Sequence, residues 1–435
     1  MESINIFWFR RDLRLHDNAG LYHALKHSKN VVPIFIFDKN ILDKLEDKSD
    51  KRVNFIHEEI EKLAAKLKQA GTGLKVFYGK PIEVFKKLSK QYNIQKVYTN
   101  RDYEPYAKER DGAVEALLKV NNIEFHHFKD HVFFEWNEVL KDDETPYQVF
   151  TPYSRKWKAK SNDFYYSSYP TEKYYSSFKK EIETKMPSLT SMGFKFLEWD
   201  YFKKEVDTTI ISNYHKTRDI PAIKGTSRLG IHLRFGTISI RQLADLAKDE
   251  NEKYLNELIW RDFYQMIMSH YPHVVDGNFR KKYDAIPWRN DMESFELWCV
   301  GKTGYPMVDA GMRELNETGY MHNRVRMVVA SFLTKHLLLN WQLGEAYFAE
   351  KLLDFELASN NGGWQWAAGT GCDAAPYFRV FNPESQMKKF DPKLEYIKKW
   401  IPEFEDIFKY PKPIVEHKFA RQRAIDTYKK ALANY

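Results

Sequence analysis

Apolar positions in the first 130 residues fall into short runs separated by stretches of helical spacing. Residues 4–9 and 31–37 are apolar runs of strand length. Between 52 and 70, Phe55, Ile56, Ile60, Leu63 and Leu67 recur at steps of mostly three and four, which predicts an amphipathic helix. Residues 74–78 read as a short strand. Pro81 then opens a helix carried by Val84, Phe85 and Leu88, with proline at a first position that needs no N–H. Strands at 97–99 and 124–128 flank a helix from about 106 to 120. This βαβα alternation predicts a Rossmann-like, doubly wound and mostly parallel sheet. No GxGxxG follows the first strand, so a standard dinucleotide site is not expected there. From 131 to 205 the periodicity decays, and residues 161–170 read as a surface connector. Beyond 205, apolar spacings of three and four predict helices. The expected division is an α/β domain over 1–130, a connector over 131–205 and an all-helical domain over 206–435.

Composition sharpens this picture in three places. The chain has 435 residues, enough for two domains with sizeable cores. Aromatic residues make up 16%, which supplies core mass, stacking platforms or both. A net charge of +8 suits a nucleic-acid partner and an ordinary soluble surface alike. Cys299 and Cys372 are the only cysteines and form no CxxC, which argues against a disulfide framework or a zinc ribbon. His126, His127 and His131 lack cysteine companions, so no metal site is expected. Arg10-Arg11 precedes a charged run where an export signal needs an apolar one, and no segment approaches membrane-spanning length. A soluble, cytoplasmic protein is expected.

Four stretches carry chemistry. Asn360-Asn361-Gly362-Gly363-Trp364-Gln365-Trp366 packs two amides, two glycines and two indoles into seven residues. Glycine lets backbone approach a flat ligand, and indoles two residues apart cannot share a helical face. On a helix, Glu257, Trp260, Arg261 and Tyr264 form one stripe, opposite an apolar stripe of Ile259, Phe263, Met266 and Ile267. A carboxylate, an indole, a guanidinium and a phenol together suit a pocket wall. In Gly225-Thr226-Ser227-Arg228-Leu229, Thr and Ser read as helix caps beside a start that attracts phosphate. In His322-Asn323-Arg324-Val325-Arg326-Met327, Arg324 and Met327 share a face with Asn323 close by, and Arg326 is free to pair with Asp354. Trp288, Trp341 and Trp364 lie on three separate segments.

Taken together with Phe7-Trp8-Phe9-Arg10-Arg11-Asp12-Leu13-Arg14, Gly304-Tyr305-Pro306 and Phe381-Asn382-Pro383, these motifs resemble the DNA photolyase/cryptochrome family along essentially the whole chain. The resemblance implies an α/β antenna domain followed by a helical domain that holds FAD. It places Tyr214, Thr226, Ser227, Arg228 and Leu229 at the FAD phosphates and sugar. Arg326, Asp354, Phe355, Glu356, Glu257 and Arg261 would line the cofactor, with Asn360 against flavin N5. Trp364, Trp341 and Trp288 match the tryptophan chain that carries an electron to photoexcited flavin. Glu257, Trp260, Asn323, Arg324, Met327 and Trp366 resemble the pocket of class I cyclobutane pyrimidine dimer photolyases. Arg218, Arg261, Arg324, Arg379 and Gln386 would join them in binding UV-damaged DNA through phosphates or lesion carbonyls, without sequence specificity. Catalysis would rest on Glu257, Asn360 and the three tryptophans, in a monomer. The alternatives are a sensory cryptochrome and a six-four photolyase. The first would bring an altered dimer pocket or an added tail, and the second pocket histidines. The stretch from Asn100 to Asp111 looks like relatives that bind a deazaflavin antenna. It leaves 8-hydroxy-5-deazaflavin, methenyltetrahydrofolate, a flavin or an empty site open.

Overall fold

A computed structural model describes residues 3–180, 182–199 and 202–433. Strands β1 (Ser3–Phe9), β2 (Val31–Asp38), β3 (Lys75–Gly79), β4 (Asn93–Asn100) and β5 (Glu124–Phe128) form one parallel sheet ordered β3-β2-β1-β4-β5. The doubly wound expectation therefore holds, and the order reverses between β1 and β4. Every residue of β2 is buried, as a strand covered on both faces requires. Pro33 is tolerated in it because pairing with β3 begins only at Ile34.

Crossovers run through α1 (Ala19–His27), α2 (Lys51–Gln69), α3 (Pro81–Gln91) and α4 (Pro105–Val120). Helix α1 is one that periodicity did not mark, because tyrosine and histidine interrupt its apolar face. It is fixed by its cap and by one close approach. Asn18 accepts a hydrogen bond from Leu21 N at 3.1 Å, and Gly20 N donates to Asn100 Oδ1 at 2.8 Å. A Cβ on Gly20 would sit 2.7 Å from that oxygen.

Two compact units emerge, and they do not follow a linear division. The first comprises Met1–Phe133, Ser161–Glu205 and Leu229–Leu246, and the second Phe134–Lys160, Val206–Arg228 and Ala247–Tyr435. Buried contacts at two places accompany two of the departures from the expected boundaries. Arg241 is drawn into the first unit by Asp17 (3.0 Å) and Asp130 (2.8 Å), both fully or nearly fully buried. Within 131–205, the reading of a bare connector fails at α5 (Phe150–Lys160). There Trp157 is wholly buried and donates Nε1 to Asp262 at 3.0 Å, while Phe134 N donates to the same carboxylate at 2.9 Å. The basic and aromatic make-up of α5 hid an amphipathic pattern, since the buried acid that anchors it lies more than 100 residues away.

Beyond β5 the named elements among the described residues are all helical, as expected. Those that shape the site are α6 (Glu252–His270), α7 (Pro306–Thr318), α8 (Asn323–Ser331), α9 (Trp341–Lys351) and α10 (Leu357–Ala368). Their core gathers Trp298, Met307, Met321, Phe332, Leu333, Trp341 and Trp364. Among the described residues no helix is long and apolar enough to cross a membrane.

Candidate functional site

Helix α6 presents the two faces its spacing predicts. Asn251 caps it, accepting from Lys253 N at 3.0 Å. Ile259, Phe263, Met266 and Ile267 are buried, while Glu257, Trp260 and Tyr264 stay half-buried. Arg261 on the same stripe is buried against Glu356, Nη2 to Oε1 2.8 Å, and Ser359 Oγ donates to that carboxylate at 3.3 Å. Glu257 accepts from Arg218 Nη1 at 2.5 Å, and the Arg218 guanidinium lies over the Tyr214 ring at 5.4 Å. Burial pushes the Glu257 carboxyl above the usual range, with Arg218 opposing the rise. Asp219 extends the chain of charges: it holds Arg324 Nη2 at 2.7 Å and lies 3.9 Å from Arg218 Nε. Thus Arg218, Glu257 and Arg324 are brought together by an acid that sequence reading missed. Its one signal was its place directly after Arg218. Arg324 also lies over the Phe390 ring at 4.4 Å.

The loop from Gly225 to Leu229 corrects the capping expectation. The helix after it, Gly230–Arg234, has five residues and no side-chain cap bond. Thr226 Oγ1 instead meets the Tyr320 hydroxyl at 3.2 Å, and Ser227 Oγ meets that of Tyr254 at 2.9 Å. Arg228 adopts φ +54°, and its guanidinium lies over the Tyr320 ring at 4.7 Å. Gly225 is required by close approach, since a Cβ would lie 2.7 Å from Thr217 Cβ. Leu229 is buried and falls in the first unit, unlike the four residues before it. Arg326 pairs with Asp354, Nη2 to Oδ2 2.9 Å, and donates Nε to Met321 O at 2.7 Å. Burial works against the charge of Arg326, and Asp354 more than restores it. Phe355 is half-buried at the margin of the core. His322, at the start of α8, is held down to about 4 by burial and then by Arg326.

Helix α10 sorts the Asn360 stretch by face. Trp364 is 2% exposed, whereas Trp366 is half-buried and 6.4 Å from Phe381. Asn360 Nδ2 donates to Glu345 O at 3.0 Å and to Glu345 Oε1 at 2.9 Å. Both bonds use the amide nitrogen, so the carbonyl oxygen is the group available to a ligand donor. Burial raises the Glu345 carboxyl, and the Asn360 bond opposes it. The two glycines differ. A Cβ on Gly362 would lie 2.2 Å from the Tyr264 ring, so this glycine serves the approach of α10 to α6, not of a ligand. A Cβ on Gly363 would meet nothing within 4 Å. Gly362→Ala is therefore expected to destabilise the protein by about 1–3 kcal/mol through overpacking. Gly363→Ala is expected to hold or raise stability by up to about 1 kcal/mol through helix propensity. Thermal unfolding of both variants checks the contrast, and equal shifts would contradict it.

The remaining expected DNA contacts are spread over three segments. Asn323 is exposed and Met327 half-buried on α8; Arg379 is exposed, with its guanidinium 5.6 Å from the Phe381 ring centre. Gln386 is half-buried, its Oε1 without a hydrogen-bond partner. Trp260 is stacked on Phe150, ring centres 3.8 Å apart and planes within 3°. Phe150 was not anticipated. Trp341, with Nε1 donating to Asn278 at 2.9 Å, and Trp364 are each 2% exposed, and Trp288 is half-buried at the edge of the same cluster.

A second polar crevice lies in the first unit at the β1/β4 switch point, where doubly wound sheets bind ligands. It is lined by Arg10, Arg11, Asp12, Asn100, Arg101, Asp102, Asp130 and His131. Arg11 pairs with Asp102 and Glu104, each at 3.0 Å, and Arg10 with Asp111 at 2.5 Å. Burial would raise the Asp102 carboxyl, but Arg11 and Arg10 hold it well below the usual range.

The helical unit fits a large, polar, phosphate-bearing cofactor. Arg228, the Thr226 and Ser227 hydroxyls and the Asn360 carbonyl are suitable groups. Asn256 Oδ1 and His322 Nε2 are buried without a hydrogen-bond partner, and a bound polar group would satisfy them. Comparison with known proteins agrees. The family profile described as DNA photolyase matches residues 5–173, and that of the FAD binding domain of DNA photolyase matches residues 254–409. The deoxyribodipyrimidine photo-lyase of Synechococcus sp. is 36% identical over 464 residues, covering 96% of this chain and 95% of its own length. The crystal structure of a class III photolyase from Agrobacterium tumefaciens matches with a TM-score of 0.87 at 31% identity, over 99% of this chain and 98% of that one. An archaeal photolyase from Sulfolobus tokodaii, solved with two FAD molecules, matches with a TM-score of 0.83 at 34% identity, over 99% and 100%. A chain this similar over its whole length, with an FAD-binding domain matched in its helical half, belongs to the DNA photolyase family.

Proposed function

We propose that the protein is a light-driven DNA repair enzyme that splits cyclobutane pyrimidine dimers. The observation that carries this reading is the half-buried wall of α6, where the Glu257 carboxyl, paired with Arg218, and the Trp260 indole stand side by side. A dimer must leave the stack to be repaired, at a cost of a few kcal/mol that is smaller for a damaged base. Trp260 would stack on the extruded lesion, with Trp366 on its other side, and Glu257 would hydrogen-bond a thymine. Arg218, Arg324 and Arg379, with Asn323, Met327 and Gln386 around them, would hold DNA through its phosphates irrespective of sequence. Thr226, Ser227, Arg228, Tyr214 and Leu229 would hold the FAD phosphates and sugar. The Arg326–Asp354 and Arg261–Glu356 pairs, with Phe355, would flank the ring system, and Asn360 would turn its carbonyl to it. When bound, the flavin supplies the electron that opens the dimer after absorbing blue light. The switch-point crevice is the place for a second, light-harvesting chromophore: a deazaflavin, a folate or a second flavin. We read the protein as a cytoplasmic monomer.

The decisive test is repair itself. Reduced protein is mixed with an oligonucleotide carrying one thymine dimer and illuminated with blue light, and recovery of thymine absorbance is followed against a dark control. Recovery in light alone is expected; none, with FAD bound and reduced, would leave a sensory role. Within the same assay system, Trp260→Ala is expected to weaken binding to dimer-containing DNA by about 1–3 kcal/mol, the worth of stacking on a base. Undamaged DNA should lose much less. Equal losses on the two DNAs would remove Trp260 from the lesion pocket.

A further inference from the structure

The Phe150–Trp260 pair is the one parallel stack at the half-buried wall of α6 among the described residues. Ring quadrupoles favour edge-to-face or offset pairs with centroids about 4.5–7 Å apart. Here the centroids are 3.8 Å apart and the planes within 3°, so the two rings lie parallel in van der Waals contact and Phe150 covers one face of the indole. The neighbouring pairs are not parallel: Phe150 meets Phe263 edge-on at 6.0 Å, Trp260 meets Phe263 edge-on at 5.5 Å, and the Tyr264 ring lies 5.4 Å from Trp260, tilted by 32°. The helix that carries Phe150, α5, is anchored at both ends. At its start, Phe150 N donates to Asp373 Oδ2 at 3.0 Å. Two turns on, the wholly buried Trp157 donates to Asp262, which sits two residues after Trp260 on α6. Between them Tyr153 is 1% exposed and packs on Phe263 at 5.2 Å. Phe150 and Trp260 themselves are only half-buried. A rigid frame thus presses one face of a partly open indole against a phenyl ring.

We propose that Phe150 is a positioning residue for lesion recognition. By covering one face of Trp260 it fixes the plane of the indole and leaves the opposite face as the single surface on which an extruded base can stack. This rests on the reading of Trp260 as the wall of the lesion pocket. A free indole would pay rotamer entropy on binding and could offer either face. The backed indole is already oriented, so the stacking energy appears as preference for damaged over undamaged DNA.

The experiment measures binding of dimer-containing and undamaged oligonucleotides to the FAD-loaded full chain carrying Phe150→Leu, Phe150→Tyr, Trp260→Ala, or Phe150→Leu with Trp260→Ala. Phe150→Leu keeps an apolar side chain but removes the planar ring, and should lower the damaged-to-undamaged preference by about 2- to 10-fold, the worth of an aromatic pair. Phe150→Tyr keeps the ring and should restore it. In the Trp260→Ala background, Phe150→Leu should have no further effect on the preference, which a general packing defect would not reproduce. If Trp260→Ala lowers the preference and Phe150→Leu leaves it unchanged or raises it, Phe150 does not position the indole. If Trp260→Ala itself leaves the preference intact, the underlying reading of Trp260 has failed instead. Flavin absorbance and melting temperature, recorded for every variant, identify any loss that comes from misfolding.

Discussion

Asp130→Ala should cost the first unit about 3–5 kcal/mol, the range for removing one partner of a buried charge cluster. Asp130 is 2% exposed and takes both Arg14 (2.7 Å) and Arg241 (2.8 Å), while Ala19 N donates to it at 3.1 Å. Asp17, wholly buried, accepts from the same Arg241 and from Tyr169 N. Two acids and two arginines therefore balance in a buried site. Removing Asp130 leaves two guanidinium groups facing one carboxylate. Burial alone would raise the Asp130 carboxyl, but the arginines hold it below the usual range. Its folded value is thus depressed relative to the unfolded chain. Its stabilisation is present above the ordinary aspartate range and is lost as pH falls through the lower folded value. Urea unfolding of wild type and variant at neutral pH, repeated at pH 3, checks both statements. A neutral-pH loss under 1 kcal/mol, or a difference that grows on acidification, would contradict them. Asp130→Asn, which keeps the shape and some hydrogen bonds, should fall between wild type and alanine.

The same cluster marks where sequence reading stops. Strands β1 and β2 were legible because buried parallel strands are continuous apolar runs, and α2 because its period is helical. Arg14, Asp17, Asp130 and Arg241 are scattered over more than 220 positions, and no local pattern signals that they meet. The half-buried stripe of α6 was legible for the same reason as α2: Glu257, Trp260 and Tyr264 repeat at three and four. Its partners were not. Asp219, Tyr320, Glu345 and Phe150 each reach the site from another segment, and only the fold brings them there. Two local readings failed because the tertiary context took precedence. Thr226 and Ser227 resembled caps, yet they bond the hydroxyls of Tyr320, just beyond α7, and of Tyr254 on α6. Gly362 looked like room for a ligand, yet the space is taken by Tyr264. Resemblance to a family supplied the roles that spacing could not, including those of three tryptophans on separate segments.

Trp364→Phe is expected to abolish light-driven reduction of bound oxidised flavin while leaving repair by pre-reduced enzyme near wild type. Trp364 lies one turn after Asn360 on α10 and rests edge-on against Phe348 at 5.0 Å and Trp298 at 6.1 Å. It shares an apolar cluster with Trp341, as deeply buried, and with the half-buried Trp288 at the margin. Of the three, only Trp288 reaches the half-buried margin from which solvent is accessible. Phenylalanine keeps the edge contacts and most of the volume, so the helix pair α9–α10 should stay packed. It removes the easily oxidised indole. The rate of reduction under blue light with an external thiol should drop at least about 100-fold, equivalent to about 2.7 kcal/mol of barrier. Repair after chemical reduction needs no electron from Trp364 and should change little. Trp298→Phe separates route from packing, because Trp298 is wholly buried, touches Trp364 and lies outside the proposed chain. If Trp298→Phe blocks reduction and Trp364→Phe does not, the electron enters through Trp298. If each blocks it in part, the buried cluster conducts by both indoles, and Trp288 becomes the residue to replace next.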